Sequence, residues 1–76
     1  QALDLGAFAK KYSLTKRETE VLEALLNFDD SAKDLAKQLF ISRAALYRHI
    51  SSLNEKTGTK SRIGLIQFYY QQKNEE

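Results

Sequence analysis

The sequence predicts a small all-α domain of five helices, the third and fourth joined almost without a loop. Three observations predict it. Proline is absent and glycine occurs only three times in 76 residues, so little interrupts a helix. No stretch alternates apolar and polar residues with the period of two that a half-buried strand needs. Instead, successive segments place apolar residues at i, i+3, i+4 and i+7, and capping residues stand between them.

The first segment, "LDLGAFAKKY", puts Leu5, Phe8, Ala9 and Tyr12 on one face, weakened by Gly6. The second opens with Thr15 followed by Glu18, a capping box in which side chain and backbone satisfy each other's orphan donors. Its stripe of Val21, Leu22, Leu25 and Leu26 predicts a helix from about Lys16 to Asn27. Ser31 with Asp34 caps the third, whose core face is Ala32, Leu35, Ala36 and Leu39, ending near Phe40. Asp29 and Asp30 suit its positive end. Ser42 caps the fourth, Ile41 stapling onto Leu46, with Leu46, Ile50 and Leu53 inward and a left-handed Gly58 after Thr57. A fifth helix runs from Arg62 to about Gln72 after a Ser61 cap, leaving 73–76 as a frayed tail. It is apolar nearly all round, with Ile63, Ile66 and Tyr70 expected inward and Leu65, Phe68 and Tyr69 on a second face.

A chain this short buries only about 60% of its unfolded-state surface, so its core has to be compact. There is no cysteine, hence no disulfide framework and no cysteine-based zinc site. His49 is the only histidine and reads as a scaffold residue, so no metal or cofactor is expected. The lack of cysteine fits the cytoplasm, and neither a membrane span nor a signal peptide is visible. Glu18, Glu20 and Glu23 share one helix without a partner group for acid–base work, and no catalytic constellation appears. Beginning at Gln1 rather than Met, the chain reads as a piece of something longer.

The join between the third and fourth helices decides the architecture. About three residues are too few for antiparallel neighbours, whereas two helices crossing steeply need no more: a helix-turn-helix. In that unit the second helix enters the DNA major groove and its N-terminal residues meet base edges. The charge agrees. Residues 43–62 hold Arg43, Arg48, Lys56, Lys60 and Arg62 against Glu55, a balance of +4, while the flanking stretches 1–42 and 63–76 each sum to −1. A basic window on a near-neutral domain is the footprint expected for a polyanion.

The same residues carry a family resemblance. "LTKRETEVL" from Leu14, "SAKDLAKQLFIS" from Ser31, then His49, "KTG" at Lys56–Gly58 and Arg62 resemble the DNA-binding domain of the LuxR/FixJ/GerE regulators. The match runs without a gap from Leu14 to about Tyr69. It implies a compact four-helix domain over 14–72, preceded by a linker or N-terminal helix in 1–13. It implies a transcriptional regulator with double-stranded DNA as partner, a last helix that dimerises, an N-terminal sensing or receiver domain, and RNA polymerase as a further partner. It places Lys33 at a phosphate-contacting position, and Tyr47, Arg48 and Ser51 on the side of the recognition helix that faces bases. Two departures stand out. Asp29 replaces a usual glycine, and Ala45-Leu46-Tyr47 replaces a usual Thr-Val-Lys, which removes a hydroxyl donor and a cation.

The expected DNA-binding set is therefore Lys33, Ser42, Arg43, Ala44, Tyr47, Arg48, Ser51, Lys56, Lys60 and Arg62, with helix 43–57 in the major groove. Arg48 suits guanine, whose O6 and N7 accept both prongs of a guanidinium, and Arg43 suits phosphate. Leu65, Phe68 and Tyr69 are the expected dimerisation residues, the N-terminal helix being the other candidate cover for that face. The rival reading is a helix-turn-helix descendant that no longer binds DNA and docks protein through its last helix. Salt separates the two, because a DNA binder using about six phosphates loses affinity with a log–log slope near −5.

Overall fold

The computed structural model describes residues 4–74, and every regular element among them is a helix. The helices are α1 (Leu5–Lys11), α2 (Lys16–Asn27), α3 (Ala32–Gln38), α4 (Arg43–Thr57) and α5 (Arg62–Asn74). Each of the first four begins on a side chain that accepts a backbone N–H: Asp4, Thr15, Ser31 and Ser42. The Thr15–Glu18 capping box is complete in both directions, with Thr15 N–H to Glu18 Oε1 at 2.9 Å and Glu18 N–H to Thr15 Oγ1 at 3.1 Å. Gly58 closes α4 at φ 75, a conformation that costs a residue without Cβ little.

The core collects one stripe from each helix: Phe8, then Val21, Leu22 and Leu25, then Leu35 and Ala36, then Leu46, Ile50 and Leu53, and finally Leu65 and Tyr69. Leu46 and Leu53 are wholly buried, and α4 packs chiefly on α2, then on α3 and α5. The long helix is thus held by its inner stripe while its outer side stays free.

The turn between α3 and α4 is a Schellman closure. Phe40 N–H bonds Lys37 O at 3.1 Å and Ile41 N–H bonds Ala36 O at 3.0 Å, satisfying the last carbonyls of α3. This requires a left-handed residue, and the residue there is Phe40, at φ 59 and 94% exposed. A left-handed backbone costs a residue bearing Cβ about 1–2 kcal/mol. Glycine's extra freedom when unfolded takes back about 0.5–1 kcal/mol. With almost no burial to lose, Phe40→Gly is expected to raise the melting temperature by roughly 3–6 °C, checked by thermal unfolding.

Two expectations need correction. In α5, Leu65 and Tyr69 are buried (0% and 1% exposed), whereas Ile63 (68%) and Tyr70 (38%) lie outward. The inward face is therefore the one assigned to dimerisation. The reason is α1: Phe8 packs edge-on against Tyr69 with centroids 4.9 Å apart, and Tyr12 against Phe68 at 5.5 Å. Lys11 Nζ and Tyr12 Oη both donate to Gln72 Oε1, at 2.9 and 3.1 Å. The second apolar face of α5 is thus covered from within the chain. The other correction is the tail: α5 stays helical through Asn74, and Glu75 and Glu76 lie outside the described residues.

Candidate nucleic-acid interface

The outer side of α4 is assembled by its N-cap. Ser42 Oγ accepts from Ala45 N–H at 3.0 Å, which fixes where the first turn starts. From that start the 3.6-residue period places Arg43, Ala44, Tyr47, Arg48 and Ser51 on the solvent side, and all five are exposed. None of their side chains makes a hydrogen bond or ion pair among the described residues. Tyr47, at 57% exposure, does not tuck its ring into the domain.

Beside this row lies an open groove of about 500 Å³ lined by Ala32, Tyr47, Ile50, Ser51, Asn54, Ser61 and Arg62. Here the N-termini of α3 and α5 meet the middle of α4. Lys33, exposed, is the second residue of α3, and Lys60, exposed, stands in the loop before α5. Arg62 is half-buried and reaches Phe28 O at 3.4 Å, a long contact that leaves it on the groove wall. Arg62 is thus the one cation in the groove's lining, and Lys33 and Lys60 adjoin its Ala32 and Ser61 in sequence.

Lys56 is the exception among the expected contacts. Its ammonium donates to Glu18 Oε1 at 2.7 Å and to Ser13 O at 3.0 Å, so it is committed inside the domain. The buried Glu18 carboxylate also accepts from Ser52 Oγ at 2.5 Å, as well as from Thr15 N–H. Burial pushes its pKa up, but the Lys56, Ser52 and Thr15 hydrogen bonds together with the Lys56 charge outweigh this and hold it at about 2. Glu18 therefore ties two residues of α4, a turn apart, to the start of α2.

Sequence reasoning missed this brace and a second one. Arg17 Nη2 donates to Leu39 O at 2.8 Å while Nη1 pairs with Glu20 at 2.8 Å, pinning the end of α3 just before the Phe40 turn. At the far end of α4, Thr59 Oγ1 donates to Asn54 Oδ1 at 2.8 Å, and Thr57 Oγ1 donates to Leu53 O at 2.8 Å. The row of free side chains thus stands on a helix held from behind through Ser52 and Lys56, with Arg17 bracing the turn that precedes it. No group of three or more His, Cys, Asp or Glu side chains suited to a metal occurs among the described residues. No helix among them is long and apolar enough to cross a membrane.

Helix-turn-helix geometry with a basic outer row defines a class of DNA-binding domain. The particular family follows from comparison: residues 12–69 match the model of the bacterial regulatory proteins of the luxR family, and the chain belongs to that family. It is a family of DNA-binding transcription regulators, not of enzymes. Among curated proteins the chain is similar to spore germination protein GerE of Bacillus subtilis (strain 168), with 46% identity over 55 residues, 72% of this chain and 73% of that one. It is also similar to a UPF0122 protein of Acetivibrio thermocellus, 37% identical over 62 residues, covering 80% of this chain and 53% of the other. No solved structure matches the chain.

Proposed function

We propose that the domain binds double-stranded DNA sequence-specifically, with α4 in the major groove, as the output domain of a cytoplasmic transcription regulator. The observation that carries this reading is the unpartnered row Arg43, Ala44, Tyr47, Arg48 and Ser51 on a helix braced from behind. Arg48 reads a base, guanine being its natural partner. Ser42, with the N–H groups that begin α4, suits a phosphate. Lys33, Arg43, Lys60 and Arg62 take further phosphates, while Lys56 stays at home.

Dimerisation belongs to the same proposal but uses different residues from those expected. Ile63 and Tyr70 are exposed on the outer side of α5, beside Ile66, which is half-buried against the core. A two-fold pairing there sets two copies of α4 on half-sites about one DNA turn apart. Control by an N-terminal sensing or receiver domain, and contact with RNA polymerase, complete the regulator as the family resemblance implies it.

The test is fluorescence-anisotropy titration of labelled duplexes at low and moderate salt. About four phosphate contacts give a log–log slope near −3.5, a loss of roughly 100-fold between 50 and 200 mM salt. Arg48→Ala should cost about 1–3 kcal/mol on a selected site and leave that slope unchanged. Lys33→Ala should weaken all sequences alike and flatten the slope by about one unit. A folded domain that binds no duplex at either salt, including one paired through its C-terminus, would leave the protein-docking reading in possession.

A further inference from the structure

Asn54 lies on α4 one turn beyond Ser51 and belongs to none of the contact sets named so far. It is half-buried. With Tyr47 and Ser51 it follows the i, i+4, i+7 spacing of one helical face, so it continues the outward row toward α5. All three line the groove of about 500 Å³, whose other lining residues are Ala32, Ile50, Ser61 and Arg62. That lining holds one guanidinium and no carboxylate. Asp30, Asp34 and Glu55, its nearest acidic neighbours along the chain, stand outside it. Every polar side chain in the lining can donate a hydrogen bond: Tyr47, Ser51 and Ser61 through hydroxyls, Arg62 through its guanidinium, and Asn54 through its amide.

The orientation of the Asn54 amide is set by a neighbour. Thr59 Oγ1 donates to Asn54 Oδ1 at 2.8 Å, which turns the oxygen toward the domain and leaves Nδ2 with two N–H donors and no partner among the described residues. A donor held in this way gives up little side-chain freedom when it meets an acceptor. Neutral amides are among the groups that position a protein on duplex DNA by bonding phosphate oxygens. We propose that Asn54 is a further DNA-contacting residue: its Nδ2 donates to a backbone phosphate seated in this groove, where Arg62 supplies the positive charge. A base is the poorer partner. An asparagine that reads adenine bonds with both ends of its amide, and Thr59 already holds the oxygen end. The inference rests on the DNA-binding reading and assigns the far end of α4 to the backbone rather than to bases.

The test compares wild type, Asn54→Leu and Asn54→Asp by anisotropy titration on a selected duplex and on an unrelated one. Asn54→Leu keeps the shape and removes the donor. Asn54→Asp keeps an oxygen for Thr59 and puts a negative charge where the donor stood. Thermal unfolding checks that both remain folded. The leucine variant is expected to bind both duplexes about tenfold more weakly, the loss of one hydrogen bond to a charged group. Its salt slope is expected to stay unchanged, because a neutral amide releases no counterion. The aspartate variant is expected to bind more weakly still. Replacing duplex phosphates one at a time by neutral methylphosphonates locates the contact. At one position the penalty is expected to be at least about threefold smaller in Asn54→Leu than in wild type. Unchanged affinity in Asn54→Leu, Asn54→Asp binding as well as wild type, a loss confined to the selected duplex, or equal methylphosphonate penalties at every position would each overturn the proposal and leave the rest of the DNA reading intact. A wild-type domain that binds no duplex would overturn both.

Discussion

Glu18→Ala is expected to destabilise the domain by about 2–3 kcal/mol, because it removes a buried carboxylate with its hydrogen bonds and leaves the Ser52 hydroxyl and Thr15 N–H without their partner. Glu18 is 5% exposed and accepts from Lys56, Ser52 and Thr15. Without it the Lys56 ammonium keeps only Ser13 O, and the start of α2 loses its reciprocal cap. A domain of this size has roughly 4–11 kcal/mol of total stability, so the change removes a large share of it. Urea denaturation would show it as a lowered midpoint. A loss below about 0.5 kcal/mol would mean that the brace contributes little in solution.

The same carboxylate gives the domain an acid limit. Its pKa is about 2 when folded against an ordinary 4.5. A depressed carboxylate stabilises the fold above its unfolded value and loses that contribution as pH falls toward the folded one. Up to about 3 kcal/mol is therefore present at neutral pH and fades between about pH 4.5 and 2. Wild type should show this fading, and Glu18→Ala should lack most of it.

Phe8→Ala should cost a comparable amount, about 3 kcal/mol, at the lower end for a truncated aromatic. Phe8 is 7% exposed, and its ring meets Tyr12, Phe68 and Tyr69 with centroids 4.8, 6.1 and 4.9 Å away. Tyr12→Phe, which keeps the ring and gives up one bond to Gln72, should cost about 1 kcal/mol. Thermal or urea unfolding measures both. If Phe8→Ala changed stability by only a few tenths of a kcal/mol, α1 would not be docked in solution, and Leu65, Phe68 and Tyr69 would be open to a partner after all.

That last contrast shows what a sequence exposes and what it hides. The N-caps at Thr15, Ser31 and Ser42 are local chemistry, written within four residues of where they act, and they place the starts of α2, α3 and α4. The outward row of α4 follows from the same start and the helical period. The inward face of α5 does not, because Ile63, Leu65, Ile66, Phe68, Tyr69 and Tyr70 surround the helix and only contact with α1 chooses among them. Lys56 was legible as a basic residue but not as a committed one, since Glu18 lies 38 positions away. The Phe40 turn was hidden for another reason: nothing in a phenylalanine announces a left-handed backbone.

The residues that brace this domain and the outward row of α4 are separate sets. Arg43, Ala44, Tyr47, Arg48 and Ser51 take no part in the network behind them, and exposed changes of that kind usually alter stability by less than about 0.5 kcal/mol. The scaffold therefore tolerates revision of that row. Its inner stripe and its two braces can persist through many generations of altered outward rows, and an engineer could vary those five positions together as a library without first having to rescue the fold.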